Sequence, residues 1–218
     1  SLVLQPSGDT MLNKVEAEIG GKIIAIETGK IAKQASGSVV VRCGDTMVLI
    51  TAVGAPDNNP EAGFLPLTIE NQEKLASVGR IPGNYFRREI GRPSDNEVLT
   101  CRIIDRPLRP LFAAGYSAET QVIATVLSAD QEVQPDVLAL TGASCALTLS
   151  DIPFQGPVAG GRVGCIDGRY VLNPSLTELK NSTMEIVVAC TRNDVVMVEG
   201  KADELSEDEV LGGICYAF

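Results

Sequence analysis
KVEAEIGGKIIAIETGKIAKQASGSVVVRCGDTMVLITAV, residues 14–53, holds four runs of alternating or β-branched side chains separated by Gly20-Gly21 and Gly44-Asp45. In a strand successive side chains point to opposite faces, and a Gly-containing dipeptide between two such runs supplies the unusual backbone angles of a two-residue hairpin. The stretch predicts two hairpins, the second from Ser38 to Val53, and so a four-stranded antiparallel sheet. Upstream, residues 1–13 read as a loosely held lead-in. Downstream, residues 54–63 are rich in Pro, Asn and Gly and form a loop, and FLPLTIE resumes as a short strand with Pro66 inside it. Proline cannot donate to a sheet ladder, which places that strand at an edge or a bulge.

Beyond it the charge balance reverses. GRIPGNYFRREIGRPSDNEVLTCRIIDRPLRP, residues 79–110, carries seven arginines against Glu89, Asp95, Glu97 and Asp105, in a chain whose net charge is −10. All seven cations are Arg, whose planar fork matches phosphate oxygens in a way Lys does not. Tyr85-Phe86 stands directly before Arg87-Arg88, in a loop opened by Pro82-Gly83-Asn84. Rings beside cations suit a single-stranded nucleic acid, whose bases stack while its backbone tracks positive charge. The blander reading is a network of salt bridges with the four carboxylates, in which Asp105 pairs with an arginine rather than a metal. The second half of the stretch is helical: Ser94 caps, Glu97 stands at capping-box spacing, and Val98, Cys101, Ile104, Asp105 and Leu108 follow the helical period. Arg102, Arg106 and Arg109 then share one face, and Pro107 and Pro110 end the helix.

TQVIATVLSAD, residues 120–130, is an apolar strand. Pro135 opens a helix over PDVLALTGASCALTLS, whose Gly142, Ala143, Ser144 and Ala146 let it lie close to a sheet. Ser144 and Cys145 read as core, since no base stands nearby to activate them. DIPFQGP, residues 151–157, is a turn-rich junction where a subdomain boundary falls. VAGGRVGCIDGRYVLNP then gives a hairpin about Asp167-Gly168, followed by a short helix over 176–181, paired strands over 183–190 and 195–199, and a helix from near Ser206 within which the chain stops.

Composition removes several function classes. With 218 residues, 44% hydrophobic and 21% charged, the chain is ordinary globular material. It contains no histidine, so Ser-His-Asp and Cys-His catalysis is impossible. Six scattered cysteines form no C-x-x-C pair, pointing to free thiols in a reducing, cytoplasmic setting rather than to zinc or disulfides. No run reaches membrane-spanning length, and neither a phosphate-binding P-loop nor GxGxxG is present. Asp45, Asp105, Asp130, Asp136 and Asp167 sit at turns or helix starts, where capping is their ordinary role. Net negative charge argues against coating nucleic acid at large, so any such ligand must meet a local patch.

Four runs, residues 27–53, 79–112, 135–154 and 156–174, closely resemble, in the same order, the first RNase PH-like core domain of the polynucleotide phosphorylase family, with similarity from about residue 14 to the end. The resemblance implies an α/β (α+β) fold with a mixed sheet and packed helices over 14–151, followed by a smaller α/β subdomain over 152–218. It implies phosphate-dependent 3'-to-5' degradation of single-stranded RNA to nucleoside diphosphates, with inorganic phosphate as co-substrate, a magnesium ion, a homotrimeric ring and partners in RNA-degradation complexes. Tyr85, Phe86, Arg87 and Arg88 match the family's channel loop that grips RNA, with Tyr85 where the family usually has Phe. Arg102 and Arg106 match the arginines of the helix that follows. The family's metal-binding aspartates and phosphate-binding serines belong to a second core domain outside these 218 residues, so no catalytic residue or metal ligand is expected in this chain, which is expected to be a fragment of a longer one. The competing expectation is a stand-alone, non-catalytic RNA-binding or assembly module of the same fold.

Overall fold
A computed structural model describes residues 3–6, 13–58, 63–81, 92–130 and 132–218. The two expected hairpins form. Strand β2 (Asn13–Ile19) turns through Gly20-Gly21, with φ of 59° and 75°, into β3 (Lys22–Thr28), and β4 (Gly37–Cys43) turns into β5 (Thr46–Gly54). The expected lead-in carries one more strand, β1 (Val3–Pro6), antiparallel to β2.

β6 (Leu67–Glu73) begins immediately after Pro66, not around it. The proline therefore spends its missing N–H outside the ladder, and β6 lies at the sheet edge as a proline-flanked strand should. β6 pairs parallel with β7 (Thr120–Ser128), and β7 pairs antiparallel with β5. The sheet order is β1-β2-β3-β4-β5-β7-β6. A parallel pair needs a crossover, and helix α1 (Asp95–Leu108) lies in it, packed on β6.

Helix α2 (Pro135–Leu149) packs on β4, β5 and β7 on one side and on β8 on the other. That explains why it is apolar nearly all round: Val137, Leu138, Leu140, Ala143 and Leu147 are all buried. Close approach demands glycine at Gly142, where an added Cβ would lie 2.4 Å from Cδ1 of Ile50. Polar ties fix the helix to its second neighbour. Ser144 Oγ accepts the Val158 N–H at 2.6 Å and Thr141 Oγ1 accepts the Gly160 N–H at 3.1 Å. Ser144 is thus a buried structural acceptor, as its surroundings in the sequence suggested.

The second sheet has the order β11-β10-β8-β9, all antiparallel, from β8 (Ala159–Ile166), β9 (Arg169–Leu172), β10 (Met184–Cys190) and β11 (Val195–Ala202). Helix α3 (Leu176–Leu179) is shorter than its expected span, and β11 runs three residues beyond Glu199. Both faces of β10 are covered. Met184, Ile186 and Val188 join a cluster under α4 (Glu207–Ala217), whereas Val187 and Ala189 join the main core against α2. A strand buried on two sides reads as a continuous apolar run, as MEIVVAC does. Full burial of side chains such as Ile50, Leu140 and Leu147 contributes about 1.5–3 kcal/mol each. Among the described residues no helix is long and apolar enough to cross a membrane.

Candidate nucleic-acid interface
Helix α1 forms because its first turn is closed on itself. Ser94 Oγ accepts the Glu97 N–H at 3.1 Å, and Glu97 Oε2 accepts the Ser94 N–H at 2.7 Å, the expected capping box. Glu97 also fastens the helix to the sheet edge. Its Oε1 accepts the Glu73 N–H at 2.8 Å, and one turn later Cys101 Sγ accepts the Asn71 N–H at 3.1 Å. Helix side chains thus satisfy edge N–H groups of β6 that would otherwise invite another strand. Burial raises the Cys101 thiol pKa, so it stays protonated and serves as a packing group. A cleft of about 560 Å³ lies along this seam, lined by Ile69, Glu73, Glu97, Val98 and Cys101. The Asn71 amide beside it is buried without a hydrogen-bond partner among the described residues.

Pro107 does not end α1. The helix runs through it to Leu108 and tightens into a 3-10 turn over Arg109–Leu111. A proline this close to the C-terminus removes one N–H from the ladder, and the Arg109 N–H resumes the pattern by donating to the Asp105 carbonyl. Thr100, Ile104, Pro107 and Leu108 face inward.

The three arginines expected to share the outer face differ in what holds them. Arg109 is fully engaged. Its Nε and Nη2 donate to Asp105 at 2.9 and 2.7 Å, and its Nη1 and Nη2 donate to the Leu65 and Leu67 carbonyls at 3.1 and 3.2 Å. Asp105 therefore pairs with an arginine, as expected, and that arginine ties the helix to the start of β6. Arg106 donates once, from Nη1 to Glu199 Oε2 of β11 at 2.5 Å. Arg102 is exposed and makes no hydrogen bond or ion pair among the described residues. Exposed Arg80 and Arg92 flank the remainder of the arginine-rich stretch. Tyr85, Phe86, Arg87 and Arg88 lie outside the described residues.

An arginine that nothing in the sequence set apart turned out to be the most buried of the described ones. Arg162 of β8 is 8% exposed, with Nη2 on Asp136 of α2 and Nη1 on Glu185 of β10; Lys201 of β11 reaches the other Glu185 oxygen at 3.4 Å. Asp136 had read as a helix-start residue, and its carboxylate is in addition one half of a buried ion pair. The usable signal was slight: a lone Arg inside the otherwise apolar or glycine-rich run VAGGRVGCI. Asp130 keeps its turn role. Partial burial opposes its charge, but the N–H groups of Val133, Glu132 and Asp45 and the Thr46 hydroxyl together hold its carboxyl below the usual aspartate range. Among the described residues no group of three or more Cys, Asp and Glu side chains is placed to hold a metal ion.

A seven-stranded mixed sheet, a helix sandwiched against a second sheet and an arginine-bearing crossover helix define the class. The model of the 3' exoribonuclease family, domain 1, matches residues 21–153, that of domain 2 matches residues 156–218, and the chain belongs to this family. Among similar proteins are the polyribonucleotide nucleotidyltransferases of Desulfotalea psychrophila, 73% identical over 208 residues, and of Geobacter sulfurreducens, 55% identical over 204 residues. They are matched over 95% and 94% of this chain, which spans 30% and 29% of their respective lengths. The crystal structure of rice Rrp46 superposes with a TM-score of 0.67 at 17% identity, covering 88% of this chain and 85% of that one, which shows the shared fold.

Proposed function
We propose that this chain is the first core domain of a phosphate-dependent 3'-to-5' exoribonuclease that degrades single-stranded RNA to nucleoside diphosphates, and that it supplies the RNA-gripping and ring-forming part. The observation that carries the reading is the outer face of α1. In a chain of net charge −10, Arg102 stands exposed without a counter-charge among the described residues, and Arg106 stands half-exposed one turn further on. In this reading Tyr85, Phe86, Arg87 and Arg88, which lie outside the described residues, stack bases and bind backbone as the family's channel loop does.

Bringing inorganic phosphate to an anionic backbone requires positive charge, which magnesium would supply in the complete enzyme. By this reading the metal is bound outside the described residues. The same reading places the enzyme in the cytoplasm, as a homotrimeric ring with partners in RNA-degradation complexes. It divides the chain into a lead-in over 1–13 and subdomains over 14–151 and 152–218.

Mixing the purified 218-residue chain with poly(A), phosphate and magnesium tests the assignment. RNA is expected to bind without release of nucleoside diphosphate, and robust turnover would overturn it. Replacing Arg87 and Arg88 by Ala is expected to weaken binding and flatten its salt dependence, because each lost phosphate contact removes a share of counterion release. Replacing Tyr85 and Phe86 should cost about 1–3 kcal/mol per stacked base.

A further inference from the structure
We infer that Glu199 is an internal competitor for Arg106: its carboxylate holds the Nη1 position of the guanidinium in the RNA-free protein and opposes the binding of a phosphate there. The inference rests on α1 being an RNA-contacting face, and it assigns a role to a residue of a different sheet, 93 positions further along the chain.

Three features of the pair support this. First, the placement of Glu199 is set by packing. Its cross-strand partner on β10, Val187, is buried in the main core, so the register of β11 holds Glu199 opposite α1. Second, the pair is both short and wet. The atoms stand 2.5 Å apart while the two side chains remain 50% and 41% exposed. An ion pair so open to solvent is weakly held and screened by salt, so a phosphodiester can replace the carboxylate at small cost. Third, a carboxylate and a phosphate are the same kind of acceptor for a guanidinium, so Glu199 competes for the Nη1 position it holds and its charge repels an incoming phosphate.

Arg102 lies four residues before Arg106, about 6 Å along the helix axis, and has no such competitor among the described residues. Arg102 is therefore a constitutive phosphate contact. Arg106 is a conditional one, engaged when RNA is present to displace Glu199. The freed carboxylate then faces the strand, which penalises loose or incomplete engagement of Arg106.

The test measures binding of a labelled oligo(A) RNA to the full-length native chain and to its Glu199→Gln, Arg106→Ala and Arg102→Ala variants and the Glu199→Gln/Arg106→Ala double variant. Thermal unfolding of each variant confirms that it is folded, and Glu199→Ala serves as a second replacement. Glu199→Gln is expected to tighten binding about two- to fivefold at low salt, the range of a half-exposed ion pair. The gain should shrink in the Arg106→Ala background. Unchanged or weaker binding by Glu199→Gln, with Arg102→Ala still weakening it, overturns the competition while leaving the RNA-contacting face intact. An equal gain in the Arg106→Ala background overturns it too, since Glu199 would then act as a general negative charge. If neither Arg102→Ala nor Arg106→Ala alters binding, the reading of α1 itself falls, and the inference with it.

Discussion
Arg162 and the arginines of α1 are one residue type placed in opposite surroundings. Arg162 is enclosed between α2 and the second sheet, where Asp136 and Glu185 answer its charge from two different elements. On α1 the engagement falls from Arg109, with four hydrogen bonds, through Arg106, with one, to Arg102, with none among the described residues. A buried guanidinium has lost its water and is held by whatever carboxylates the fold brings. An exposed one keeps its water and remains available to a ligand. The contrast separates arginines that hold the protein together from those that can hold something else.

Breaking the buried end should produce the largest effect. Arg162→Ala leaves Asp136 and Glu185 facing each other without their shared cation, and unfolding in denaturant should show a loss of about 3–5 kcal/mol. Arg109→Ala comes next. It frees Asp105 and two loop carbonyls at a half-exposed site and should cost about 1 kcal/mol, with RNA affinity unchanged in a binding titration. Arg102→Ala should leave the unfolding midpoint within about 0.5 kcal/mol of the parent. The same variant should reduce the slope of log affinity against log salt by about 0.7, one phosphate contact on a single strand. A loss of stability at Arg102, or none at Arg162, would erase the distinction.

The smallest effect concerns a charge held by backbone rather than by arginine. Because the Asp130 carboxyl is depressed in the folded state, its contribution is complete above the ordinary aspartate value and is lost as pH falls through the depressed one. Asp130→Asn should therefore reduce the decline in stability on the acid side, and a series of melts at falling pH checks it.

Local chemistry was legible wherever a few neighbouring residues suffice. Gly20-Gly21 marked its hairpin and Ser94 with Glu97 its capping box, because each device closes within four residues. The small residues of α2 announced close packing for the same reason. Pro107 misled, since its effect depends on how near the helix end it falls, and Pro66 misled because strand limits depend on pairing partners. The strand at Val3–Pro6 and the parallel pairing of β6 with β7 left no local trace, because each depends on a partner strand elsewhere in the chain.

Family, the two hairpins of residues 14–53 and the concentration of arginine in residues 79–110 were thus decided by the order of amino acids alone, since each is a property of neighbours along the chain. Which arginine is buried, which is tied to Asp105, which meets Glu199 and which is left to solvent was decided only by folding. Apart from the Asp105–Arg109 pair on one helix, those outcomes depend on carboxylates and carbonyls brought from distant segments, and the strength of each pairing follows from the water excluded around it.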